Sequence, residues 1–150
     1  MIKKFLSAVL ISFMTACSDD TAPRHPNYMI KSADSDLVKI EMRLEIADTA
    51  RSRQIGLSHR KNLPAGTGML FVFDFPAHWA MWMKDTFIPL DMIFLNETKT
   101  VTYIARNTVP MSENYIMPPL SFDYTRYVIE LPSGTAARHD IRPGDILVEK

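Results

Sequence analysis

Over residues 37–46 apolar and polar side chains alternate, with Ile40, Met42, Leu44 and Ile46 set against Lys39, Glu41, Arg43 and Glu45. A period of two puts one set on the buried face of a strand and the other on its wet face. Asp48 follows in position to cap a short helix, with Ile55 and Leu57 late in it and Gly56 at its end. Residues 61–68 carry Pro64, Gly66 and Gly68 and read as a turn-rich loop. Residues 69–73 form a continuous apolar run, a buried strand that Pro76 should break. Residues 79–83 and 87–95 are the next two strand candidates, and 100–105 returns after a polar turn at 96–99. Residues 107–124 hold three prolines without a period and read as a long loop. A strand at 127–131, a helical turn at 133–139, a turn at 142–145 and a last strand at 146–148 complete the chain. Gly144 is expected at positive φ, with Asp145 bonding the turn backbone. Many short strands with few helices predict a mainly β fold: a small antiparallel β-barrel or sandwich-like domain with one or two short helices.

The first residues follow another logic. Lys3 and Lys4 precede an apolar run at residues 5–14 that is too short to span a bilayer, and Met14-Thr15-Ala16-Cys17 follows. The order of charge, apolar run, small residues and cysteine resembles the signal peptide and lipobox of bacterial lipoproteins. That resemblance implies cleavage before Cys17 and lipidation of its sulfur, with a membrane as the first partner. Several acyl chains on one residue would anchor stably, because each buried CH₂ contributes about 0.8 kcal/mol. Ser18 follows the cysteine, where lipoproteins kept at the inner membrane carry aspartate, so a periplasm-facing place on the outer membrane is expected. The expected organisation is a signal peptide at 1–16, a flexible tether at 17–36 and a single β-rich domain at 37–150.

Charge excludes one class of partner. The formal net charge is zero, and removing Lys3 and Lys4 leaves 15 of the 17 basic side chains against 17 acidic ones. No basic stripe interleaved with aromatics remains for nucleic acid. Cys17 is the single cysteine, so no intrachain disulfide and no multi-thiolate metal site can form. The domain must be held by its core, and no cofactor and no oligomer beyond a monomer is expected.

Several short stretches in order resemble the family known as domain of unknown function 192. They are Arg53-Gln54-Ile55-Gly56-Leu57 with Arg60, Gly68-Met69-Leu70-Phe71, and Trp82-Met83-Lys84-Asp85-Thr86. After these come Ile88-Pro89-Leu90-Asp91 leading into Phe94, Tyr127-Val128-Ile129-Glu130-Leu131 with Gly134, and Pro143-Gly144-Asp145. The resemblance runs from about Ile40 to Val148. It implies a small, mostly β domain, often behind a signal peptide, and carries no assigned reaction. Many members hold cysteines in the loop matching residues 107–120; this chain has none there, so a thiol role is not available to it.

Four residues stand out as a candidate ligand site. In a strand, Trp82 and Lys84 share one face and Met81 and Met83 the other. An ammonium beside an indole suits a small anionic molecule or an envelope polymer, Arg60 would add a bidentate donor, and Asp91 would orient them. The plain alternative is that Asp91, in an apolar stretch, pairs with Lys84 or Arg60 or takes backbone hydrogen bonds and fixes the fold. Two rival readings remain. His78, Met81 and Met83 offer imidazole and thioether ligands that suit Cu(I), although methionine more commonly fills cores. A hydrolase would need Asp91 with Glu130 or Asp145 as a carboxylate pair, or Ser58 with His59. No phosphate loop, nucleophile elbow or HExxH helix is present, and a non-enzymatic role is favoured.

Overall fold

A computed structural model describes residues 25–150. Cys17, the signal-peptide segment and the start of the expected tether lie outside these residues.

Seven strands form one sheet: β1 (Asn27–Lys31), β2 (Val38–Ala47), β3 (Thr67–Ala77), β4 (Leu90–Leu95), β5 (Val101–Ala105), β6 (Thr125–Pro132) and β7 (Ile146–Glu149). Two short helices accompany them, α1 (Ala50–Ile55) and α2 (Thr135–Arg138). The strand order is β5-β4-β6-β3-β2-β1-β7. The sheet curls into a half-barrel whose edges touch, since Thr100 bridges to Ile146 and the Leu147 N–H donates to the Lys99 carbonyl at 3.0 Å. The fold is thus mainly β with two short helices, as the alternation of the sequence implies.

Several details depart from what the sequence implies. The tether does not extend to residue 36, because β1 pairs with β2 on one edge and β7 on the other and buries Ile30 completely. Five residues of that segment are needed to give β2 and β7 their partners. The sheet is also not purely antiparallel: β2 and β3 run parallel, Arg43 beside Thr67 through Ala47 beside Phe71. Their connection crosses over through α1, which a parallel pair requires. Finally, β3 runs through Pro76 instead of ending there. Its pairing with β2 stops at Phe71, so no ladder partner on that edge needs the N–H that proline lacks, and the register against β6 shifts between Val72 and Ala77.

The sheet separates two cores. The concave side gathers Ile30, Leu44, Leu70, Ile93, Leu95, Ile129 and Leu131, capped by Ala136 and Ile141. The convex side gathers Leu57, Met69, Phe71, Met83, Met92, Phe94 and Val128. At ~1.5–3 kcal/mol per fully buried large apolar side chain, these clusters can hold the domain without a cross-link. Residues 79–83 do not join the sheet as a strand; Met81 makes a lone bridge to Ile116 of the long loop. The alternation still holds there, with Met81 and Met83 buried on the convex core and Trp82 exposed.

Helix α1 is capped by Thr49, one residue beyond the Asp48 expected from sequence. Thr49 and Ser52 exchange side-chain and backbone hydrogen bonds, Ser52 N–H donating to Thr49 Oγ1 at 3.0 Å. Gly56 ends the helix at φ 49°, and a Cβ there would stand 3.2 Å from Phe71 Cζ. Gly144 lies at φ 97°, and Asp145 Oδ2 accepts from the Arg142 N–H at 2.8 Å. Asp145 also pairs at 2.8 Å with Lys39 where both side chains are nearly inaccessible, fastening β2 to the turn before β7.

At Gly68 the neighbouring strands leave no room for a side chain. A Cβ built there would overlap the Glu130 carbonyl oxygen and lie 2.7 Å from Leu131 Cδ2. Because backbone cannot move aside cheaply, Gly68→Ala should destabilise the domain by about 2–3 kcal/mol or more, read from urea unfolding of the two proteins.

Candidate functional site

The convex face of the sheet is not fully covered. Between α1 with its following turn and the segment around 79–86 lies a cleft of about 500 Å³, the size of small-molecule sites. Its floor is Leu57, Phe71, Phe73 and Met81, its walls include Trp79, Trp82 and Lys84, and Ser58, Thr86 and Glu130 add polar groups. Trp79 stacks on Phe73 at 4.5 Å between ring centroids, and its indole N–H donates to the Phe75 carbonyl at 2.9 Å. Trp82, 41% exposed, stacks more loosely on Tyr115 at 6.3 Å. Lys84 Nζ sits 5.7 Å from the Trp82 ring centroid and 3.9 Å from Glu113. Arg53 lies along the Phe73 ring, and its guanidinium donates to the Asp48 and Val72 carbonyls and to Asp74.

Of the four residues picked out by sequence, the structure brings together two. Trp82 and Lys84 share the cleft wall. Arg60 lies apart from them: it forms a bidentate pair with Glu45, the Nη2 to Oε2 contact being 2.6 Å, beside a separate polar groove lined by Arg43, Lys61 and Asn62. The pair holds the Glu45 carboxyl below the usual carboxylate range, chiefly through the hydrogen bonds from Arg60. Asp91 is fully buried and lines neither opening. Its Oδ1 accepts from the Asn107 N–H at 3.0 Å and its Oδ2 from the Ala136 N–H at 2.8 Å. Helix α2 begins after Gly134, which has no side chain to cap it, so Asp91 satisfies its free N–H from across the sheet. Asp91 pairs with neither Lys84 nor Arg60 among the described residues; it ties β4, the start of the long loop and α2 together.

The carboxylate pairs do not form. Asp91 stands opposite Leu131 and Met92 opposite Glu130, so Asp91 faces the concave core and Glu130 the convex one. Asp145 is committed to Lys39. Ser58 lines the cleft, whereas the His59 ring tilts against Phe87 at 6.0 Å, and no hydrogen bond joins the two side chains among the described residues. The members of the copper set are each engaged in packing. Met83 is fully buried with its Sδ 3.1 Å from the Thr108 hydroxyl, Met81 is core, and the His78 ring packs edge-on against Tyr124 at 4.6 Å. Among the described residues no group of three or more His, Cys, Asp or Glu is placed to hold a metal ion.

Glu130 entered the sequence reading only as one half of a carboxylate pair, and its place in the cleft is new. It sits on the central strand β6 between Met69 of β3 and Met92 of β4, 4% exposed. Its carboxyl has no hydrogen-bond partner among the described residues. Burial pushes its pKa up to about 8, opposed only by the positive field of Arg60. The sequence signal was there: an acid inside the apolar run Tyr127-Val128-Ile129-Glu130-Leu131.

Fold and cleft together define a small half-barrel domain with an aromatic-walled opening on the outer face of its sheet. The chain belongs to the DUF192 family, described as an uncharacterized ACR, whose model matches residues 30–148. Two crystal structures resemble it closely. One is from Sinorhizobium meliloti 1021 and is named as a candidate transcription regulator, with a TM-score of 0.79 and 32% identity over 87% of this chain and 97% of that one. The other, of unknown function, is from Novosphingobium aromaticivorans DSM 12444, with a TM-score of 0.73 and 32% identity over 81% of this chain and 83% of that one. No curated protein matches.

Removing the Asp91 carboxylate leaves two backbone N–H groups without an acceptor. Asp91→Ala should cost about 3 kcal/mol in unfolding free energy, and Asp91→Asn less, since one oxygen remains. Equal stability of Asp91→Ala and wild type in urea would remove Asp91 from the scaffold.

Proposed function

We propose that this domain binds a small molecule with a flat or apolar body and an anionic group, in the cleft under Trp82 and Lys84, while held at a membrane through lipid on Cys17. The observation that supports it most directly is a lysine laid over a half-exposed tryptophan above an apolar floor. Rings offer a stacking surface to an aromatic or sugar face, and the ammonium meets a carboxylate or phosphate. Lys84 is available for this. Its contact with Glu113 is 3.9 Å long between two exposed side chains, an arrangement worth ~0–1 kcal/mol. Arg60, by contrast, would have to abandon a partly buried bidentate pair and leave Glu45 without its cation.

The envelope setting rests on the order of Lys3, Lys4, the apolar run and Cys17. The nine residues between Cys17 and Asn27 reach at most about 35 Å when extended, so a lipidated protein would present the cleft close to the membrane, facing the periplasm.

Trp79 and Trp82 are the chain's two tryptophans, and both line the cleft. Their indole N–H signals therefore report on it. Addition of 2-naphthoate should shift both signals, and Trp82→Ala or Lys84→Ala should weaken the binding about tenfold with little change in melting temperature. If neither signal moves, the cleft does not bind such molecules. For the anchor, Cys17→Ser should abolish palmitate labelling and leave the protein unprocessed or soluble; labelling at the wild-type level would remove the lipid role.

A further inference from the structure

The cleft contains one group that folding alone does not explain. A carboxyl is costly to bury unless it is hydrogen-bonded, and the other buried acids of this domain meet that condition: Asp91 takes two backbone N–H groups, and Asp145 takes Lys39 and the Arg142 N–H. Glu130 has no side-chain hydrogen bond among the described residues, and since Thr125 Oγ1 is the fully buried polar atom left unpartnered there, the Glu130 oxygens keep some access through the cleft they line. Its cross-strand neighbours on the same face are Met69 and Met92, whose side chains give it neither an N–H nor an O–H donor.

We propose that Glu130 is the specificity-determining group of the cleft, donating its carboxyl proton to an acceptor oxygen, such as a carbonyl, at the inner end of the ligand. The inference rests on the cleft being a binding site. The ligand class that follows is an oxygen-bearing, apolar-bodied molecule with its anionic group outward, and an ammonium meets no counter-charge at Glu130 while that carboxyl keeps its proton. Arg53 and Lys84 line the same cleft and Arg60 acts on Glu130 from beyond Met69, but each faces an acid of its own, Asp74, Glu113 and Glu45, so the selection against an ammonium rests on the proton that Glu130 keeps. Burial keeps the proton on the carboxyl up to about pH 8. The group's pKa is raised, so the donor is largely present at neutral pH and fully present at pH 6 and below. It is lost as pH rises through about 8, when an anion would face the ligand oxygen instead.

The test uses the full chain with acetophenone as the carbonyl probe and benzylamine as its cationic counterpart, both read from the Trp79 and Trp82 indole signals. Acetophenone should bind wild type at pH 6 and weaken at least fivefold by pH 9. Glu130→Gln keeps an N–H donor that cannot ionise, and should bind at both pH values alike. Glu130→Leu should weaken binding about tenfold, the loss of one hydrogen bond, while melting at or above the wild-type temperature because an unpaired polar group has been removed. Three results would each overturn the role of Glu130: Glu130→Leu binding acetophenone as wild type does, benzylamine binding wild type at pH 6 more tightly than acetophenone does, or 2-naphthoate binding without acetophenone. Failure of 2-naphthoate and acetophenone alike would overturn the cleft itself.

Discussion

Strand β6 is bonded along both edges, to β3 and to β4, and covered on both faces. Everything else is arranged around that constraint. Its odd positions, Ile129 and Leu131, fill the concave core, while Val128 and Glu130 turn to the convex one. A strand buried on both faces cannot alternate between apolar and polar, and residues 128–131 are accordingly buried without exception. The single polar side chain among these four therefore sits where water reaches it only through the cleft. Gly68 belongs to the same constraint, since a side chain there would push β3 off β6.

Two acids of similar sequence context end in opposite circumstances. Asp91 and Glu130 each interrupt an apolar run on neighbouring strands, one register position apart. Asp91 faces the end of the barrel where α2 and the residue after Arg106 present free N–H groups, and it becomes structural. Glu130 faces a sheet surface where Met69 and Met92 stand beside it across the strands and neither offers a hydrogen-bond donor, and it is left available. What separates a scaffold acid from a candidate functional one is which face of one sheet each occupies.

The convex layer also explains why the tryptophans are where they are. Residues 79–86 are held by few backbone bonds, Met81 to Ile116 and Met83 to Ser112 among them, and by the burial of Met81 and Met83. The methionines that resemble metal ligands in sequence serve as the nails of this flap, and the residues between and after them, Trp82 and Lys84, are thereby turned outward over the cleft. Chemistry and packing divide the segment by parity.

The sequence by itself determined the β class, the place of most strands, the turn at Gly144 and the pairing of Trp82 with Lys84, because each rests on local periodicity or on a backbone angle that one residue type tolerates. It also singled out Arg60 and Asp91, and named Glu130 only as half of a carboxylate pair, without fixing what each meets. Those partners are set by strand register and crossover. Glu45 comes near Arg60 only once β2 lies beside β3, and Asp91 reaches α2 only once β4 pairs with β6. The start of the domain at β1, the parallel pair and the face on which Glu130 lies were likewise decided by tertiary structure, for the same physical reason: a strand's pattern specifies which residues share a face, and only its neighbours specify what that face is pressed against.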